Sequence, residues 1–261
     1  MGATVMLIHG AWMNAESWVG WKARYEARGY RVVAPSWPED DRPVAELKAR
    51  PSEGLAAVGV SEILAHYEAE AARVDGPLWL VGHSFGGLFV QLLLDRGVGL
   101  AGVAINPAPP KGVHPTFSAL KAALPVLFSL KAVSTMSVAD FRWGWAHTQT
   151  EAEAQAAYDR FVVPTPRRVY QDGANAPFTS LLALRPAARK QPLLFIAGGE
   201  DRTVSASMVR AAFTIQKKSP SVTELHDFPD RTHWICGAPG WEEVADDAIG
   251  WLEAQVPAAR A

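Results

Sequence analysis

The sequence predicts an α/β protein: a mostly parallel sheet of about six strands, with helices on both faces and a helical cap insertion. Three observations carry this. Short apolar runs recur along the chain, each followed by a longer segment of helical periodicity. Most of the runs are continuous rather than alternating, as expected of strands covered on both sides. One long stretch instead carries helical patterns broken by prolines, with no convincing strand. At 261 residues, 49% of them hydrophobic, the chain suffices for one large domain with an insertion.

In chain order, Thr4–Ile8 reads as a buried strand that stops at His9-Gly10. Ser17–Arg28 reads as a helix ended by Gly29, a residue suited to a C-terminal stop. Arg31–Ala34 is the second strand, and Glu53–Arg73 a helix that stops near Asp75-Gly76-Pro77. Leu78–Gly82 is a strand that runs into the helix Phe85–Arg96, closed by Gly97. Ala101–Ile105 follows, and Asn106-Pro107-Ala108-Pro109-Pro110 opens the proline-broken block. Residues 107–190 are therefore expected to form a cap, with 1–106 and 191–261 as the core. Leu193–Ala197 and Val222–Phe228 are the last strands, separated by the helix Ser205–Lys217. Trp241–Gln255 is the final helix, before Pro257, with acidic residues in its first turn, where the helix dipole favours them. Strands alternating with helices imply right-handed parallel crossovers.

Lys and Arg number 25 against 27 Asp and Glu, and no basic run stands out, so a nucleic-acid partner is not expected. The single cysteine, Cys236, permits no intramolecular disulfide and fits a reducing compartment. The opening strand lacks a charged flank and a cleavage site, and is too short to cross a bilayer. These features give the expectation of a cytoplasmic protein with no membrane partner. No His, Cys and carboxylate grouping has metal-ligand spacing, and no Gly-x-Gly-x-x-Gly or phosphate-binding loop occurs, so neither metal nor cofactor is expected.

The most informative stretch is Leu78-Trp79-Leu80-Val81-Gly82-His83-Ser84-Phe85-Gly86-Gly87-Leu88. It reads as strand, then Gly-x-Ser-x-Gly, then helix. A serine at so tight a turn holds a strained backbone that pushes its hydroxyl clear of the sheet. Neighbours two positions away must be nearly without side chains, which Gly82 and Gly86 satisfy. On these residues the chain resembles the α/β-hydrolase superfamily, as a serine esterase-like member with a helical cap. The resemblance extends over essentially the whole order of elements. Small members trim the first strands of the family sheet, and this chain opens at what would be the third.

The resemblance implies the remaining site residues. Acyl transfer needs N–H donors for a developing oxyanion. The family takes one from the residue after the nucleophile, here Phe85, and one from the turn after the first visible strand. In Ile8-His9-Gly10-Ala11-Trp12 that second donor is the N–H of Ala11, while His9 is read as a structural hydrogen-bonder. The family order is nucleophile, acid, histidine. His233, in Pro229-Asp230-Arg231-Thr232-His233 after the last strand, takes the histidine's place, and Asp201, in the Gly198-Gly199-Glu200-Asp201 turn, takes the acid's. Some relatives carry the acid after the preceding strand, where Asn106 stands here and cannot bear the charge.

Ten tryptophans are many for this length, and an indole can wall an apolar pocket while keeping one polar handle. Trp12, Trp143, Trp145 and Trp234 are candidates for the substrate pocket; gluing cap to core is the equal alternative for those in and beside the cap. The expected reaction is hydrolysis of a small hydrophobic ester or lactone through an acyl-enzyme; the sequence does not fix the oligomeric state, and a homodimer is compatible with it. A carbon–carbon bond hydrolase is the rival enzyme, because such relatives often carry tryptophan after the histidine. A ligand receptor on the same fold is the rival outside enzymes.

Overall fold

The structure, a computed structural model, describes residues 2–256. The stop expected at Pro257 lies outside them. The first half of the chain forms β1 (Thr4–Ile8), a 3-10 turn (Ala15–Trp18), α1 (Val19–Ala27), β2 (Arg31–Val33), α2 (Val44–Ala49), a second 3-10 turn (Glu53–Ala57), α3 (Val60–Ala72), β3 (Leu78–His83), α4 (Phe85–Leu94) and β4 (Ala101–Ile105). The segment between the fourth and fifth strands of the main sheet forms α5 (Phe117–Leu127), β5 (Val133–Ser134), α6 (Val138–Gly144), α7 (Glu151–Phe161), β6 (Thr165–Pro166), α8 (Arg167–Ala174) and a 3-10 turn (Ala176–Phe178). The chain then returns through β7 (Leu193–Gly198), α9 (Ala206–Gln216), β8 (Thr223–Phe228) and α10 (Trp241–Gln255).

The main sheet has six strands in the order β2-β1-β3-β4-β7-β8, and every pairing is parallel. Successive side chains along a strand point to opposite faces. Val5 and Leu7 thus join one core with Trp18, Trp21 and the helix α10, while Met6 and Ile8 join the other with α3, α4 and α9. Burial on both faces is why the four central strands β1, β3, β4 and β7 read as continuous apolar runs, while the edge strand β8, Thr223–Phe228, is part-exposed and polar.

The pairing register also aligns the strand ends. Ile8 pairs with Gly82, His83 with Ile105, Ile105 with Ile196, and Gly198 with Phe228. The loops after β1, β3, β4, β7 and β8 therefore emerge along one edge, the carboxyl edge where open α/β sheets bind ligands.

The structure departs from the sequence reading at four places. The helix expected over Glu53–Arg73 is broken at Val58-Gly59. The side chain of Asp172 accepts from Val60 N–H at 2.9 Å and that of Glu62 from Gly59 N–H at 3.0 Å, so α3 starts afresh, capped from another element. The helix α2, behind Pro43, has no counterpart in the sequence reading. The block after β4 is not free of strands: β5 and β6 pair antiparallel over two residues each, too few to leave a pattern. The expected helix over Ser17–Arg28 is shared between the first 3-10 turn and α1, and Gly29 ends it at φ 90°.

Candidate active site

The site forms where β3 turns abruptly into α4. Ser84 sits at φ 56° and ψ −120°, a conformation that a side chain with a Cβ rarely holds. The close approach requires glycines. A Cβ on Gly86 would lie 2.0 Å from the Ile8 carbonyl oxygen, and one on Gly82 2.3 Å from that of Gly86. Outside the turn, Ser84 N–H donates to Ile105 O at 3.0 Å, and its carbonyl accepts from Ala108 N–H at 2.8 Å. The strain is held in place from the neighbouring strand β4 and the loop after it.

His233 reaches Ser84 from the loop after β8. Its Nε2 lies 3.1 Å from Ser84 Oγ, and its Nδ1 lies 2.6 Å from Asp201 Oδ2. The carboxylate accepts at Nδ1, which leaves the Nε2 lone pair facing the serine hydroxyl. The other oxygen, Asp201 Oδ1, accepts from Thr203 N–H and Val204 N–H, each at 2.7 Å. Both lone-pair sets of the carboxylate are thus engaged, and its orientation is fixed. His233 is 0% exposed, and Ser84 and Asp201 are 5% exposed each.

Phe85 is the first residue of α4, and its N–H is one of those a helix start leaves without an intrahelical acceptor. Ala11 lies buried in the turn after β1. That turn passes against Ser84, since a Cβ on Gly10 would sit 3.3 Å from Ser84 Oγ. His9 holds the turn: its Nδ1 lies 2.9 Å from Gly10 O, and its Nε2 accepts from Trp37 N–H at 3.0 Å. Burial pushes the His9 pKa down to about 4, which keeps the ring neutral in this accepting role.

The four candidate tryptophans take different places. Trp145 presents its ring to His233 at 4.4 Å and 87°. Trp12, at φ 60°, packs on Tyr170 of α8 at 4.9 Å. Trp234 instead packs among Phe141 at 6.1 Å, Phe161 at 5.4 Å and Trp145 at 6.5 Å, and its N–H donates to Trp145 O. Trp143 lies beneath the Lys121 ammonium at 4.1 Å, with the Arg202 guanidinium at 5.9 Å. Trp12 and Trp145 thus stand beside the site residues, while Trp234 fastens the segment after β4 to the core and Trp143 serves as a platform for cations.

Three residues at the site escaped the sequence reading. The Asn106 side chain accepts from Gly198 N–H at 2.7 Å and donates to Thr232 O at 3.3 Å, tying the end of β7 to the loop of His233. Its position, where some relatives carry the acid, was the available signal. Tyr170 packs edge-on to Phe85 at 5.3 Å, and nothing in the local sequence of α8 marks it. His83 lies 4.7 Å from the His233 ring, and burial together with the nearby His233 holds its pKa well below the usual value. Among the described residues no group of His, Cys, Asp and Glu could hold a metal ion.

A family model described as the alpha/beta hydrolase family matches residues 5–247. No curated protein matches the chain. Among solved structures, the monoacylglycerol lipase of Paleococcus ferrophilus is 18% identical at a TM-score of 0.68, covering 97% of this chain and 94% of its own. A pyrethroid hydrolase from Sphingobium faniae JZ-2 is 18% identical at a TM-score of 0.71, with 98% and 99% covered. Tomato methylketone synthase I, solved with 2-tridecanone, is 14% identical at a TM-score of 0.71, with 98% and 99% covered.

Proposed function

The chain belongs to the alpha/beta hydrolase family, and from that premise we propose that it is a serine hydrolase cleaving a small, hydrophobic carboxylic ester or lactone through an acyl-enzyme on Ser84. The observation that carries the reading is the continuous hydrogen-bonded line from Asp201 through His233 to Ser84, at 2.6 and 3.1 Å, ending on a serine with φ 56°.

In this reading Ser84 Oγ attacks the carbonyl carbon while His233 Nε2 takes its proton. Asp201 keeps the proton of His233 on Nδ1 and stabilises the imidazolium. The N–H groups of Phe85 and Ala11 receive the oxyanion. His233 then returns the proton to the leaving alkoxide. Water, deprotonated by His233, attacks the acyl-enzyme and releases the acid with Ser84 restored. Trp12, Tyr170, Trp145 and Phe85 give the site apolar aromatic walls, which favour a hydrophobic acyl or alcohol group. Residues 107–190 act as the cap; Ser84 is only 5% exposed beneath it, so substrate enters when the cap shifts. Esterase, lipase and pyrethroid hydrolase neighbours on the same fold support ester chemistry.

The test is hydrolysis of p-nitrophenyl acetate, butyrate and octanoate by the wild type and by Ser84→Ala. Activity in the wild type, reduced in the variant by about 10⁶ in kcat, is the expected outcome. Equal rates in the two proteins, or no cleavage of any ester, would refute the reading and move the weight to a carbon–carbon hydrolase or a receptor.

A further inference from the structure

We propose that the solvent face of α5, together with the exposed Phe178 that follows α8, is a docking surface for an anionic phospholipid membrane. Phe117, Leu120, Leu124 and Phe128 recur at i, i+3, i+7 and i+11, one stripe of a helix. A stripe of this kind normally faces a core. Here Phe117 is 86% exposed, Phe128 79% and the following Leu130 fully exposed. The opposite side of α5 is anchored by Ala119 and Val126. Phe178, 87% exposed, follows α8, the helix against which α5 packs. Isolated exposed apolar residues need no explanation, but a row of large ones marks an interaction surface.

Charge selects the occupant. From Arg96 to Ala139 the sequence contains no Asp or Glu, and neither does Gly173 to Gly199, in a chain whose net charge is −2. Lys121 lies on α5 itself, Lys131 follows the exposed Leu130, and Lys111 precedes the helix. The Lys111 ammonium donates to Thr179 O at 2.9 Å, beside Phe178, and the Lys121 ammonium lies over Trp143. An apolar helix face with a cationic rim and no carboxylate has the composition of a helix lying in a lipid headgroup layer. A negative membrane surface attracts such a rim. A second copy of the chain fits poorly, because a two-fold contact through this face sets like charges against each other. Among the described residues no helix is long and apolar enough to cross a membrane, so the contact is peripheral. It amends the expectation of no membrane partner, and it does not depend on the chemistry at Ser84.

The experiment is flotation of the full chain with vesicles of phosphatidylcholine alone and of phosphatidylcholine with phosphatidylglycerol, at low and high salt. The protein is expected to float with the anionic vesicles and to be released by salt. Lys131→Glu should weaken partitioning by about tenfold, and Phe117→Ser with Phe128→Ser should abolish it. Both phenylalanines face solvent, so an unchanged Tm and unchanged hydrolysis of p-nitrophenyl acetate accompany the loss. No flotation, equal flotation with neutral vesicles, or indifference to the phenylalanine variants overturns the proposal. A dimer in light scattering that Phe128→Ser dissociates, without vesicle binding, assigns the face to a second copy and overturns it as well.

Discussion

Ser84 and His233 are 149 positions apart in sequence, yet a single hydrogen bond joins them. Their meeting follows from backbone geometry: a strained turn raises the serine above the sheet, and two loops on the same edge deliver Asp201 and His233. Both oxygens of Asp201 are engaged, Oδ1 by two backbone N–H groups and Oδ2 by His233, so the carboxylate is held in one orientation toward the imidazole. Asp201→Asn should therefore lower kcat by about 10⁴, because the amide favours the wrong tautomer of His233; a variant that retained full activity would place the acid elsewhere. Asn106 holds both loops but touches no reacting atom. In Asn106→Ala two buried hydrogen bonds are lost, at roughly 1 kcal/mol each or more, and kcat should fall with little change in KM on p-nitrophenyl butyrate. A KM effect alone would contradict the positioning role. The turns of Ser84 and Asp201 and the late His233 were legible as positions because each has a local sequence form. Asn106, His83 and Tyr170 were not, because what they touch is set by distant elements.

At the scale of elements, the six strands were legible to within a residue or so, since four of them are compact apolar runs between breakers, while the edge strands β2 and β8 are short or polar and carry a weaker signal. The segment after β4 was legible as an interruption but not in its contents, because β5 and β6 are too short to show a period. Its attachment to the core is specific. Thr203 Oγ1 donates to Gly144 O at 3.1 Å, Val163 N–H to Trp12 O at 2.9 Å, and Lys48 Nζ to Tyr158 O at 2.8 Å. Asp172 adds the helix cap of α3, and this contact also explains the break that periodicity missed in residues 53–73. Removing that cap with Asp172→Ala should cost about 1 kcal/mol, read as a lower urea midpoint at unchanged m-value. An unchanged midpoint would show that α3 starts at Val60 for another reason.

At the scale of the whole molecule, two histidines with lowered pKa lie in the interior, His9 behind the turn of Ala11 and His83 beside His233. Both have folded-state pKa values below those of the unfolded chain, so the unfolded state takes up more protons as pH falls. The stability tied to His9 is fully present above pH 6.5 and is lost as pH drops toward about 4, amounting to roughly 3 kcal/mol across the window. Urea unfolding at pH 7 and at pH 5 should show the loss. His9→Gln, though less stable at pH 7, should have a shallower pH dependence; an equal slope in the two proteins would remove His9 from this role.

The central claim is that Ser84 is the nucleophile. The most direct measurement is mass spectrometry of the wild type and Ser84→Ala after treatment with a fluorophosphonate, with the modified peptide sequenced. The account predicts one adduct per wild-type chain, carried on Ser84, and none in the variant. An adduct on another residue, or an unmodified wild type that still hydrolyses esters, would contradict it.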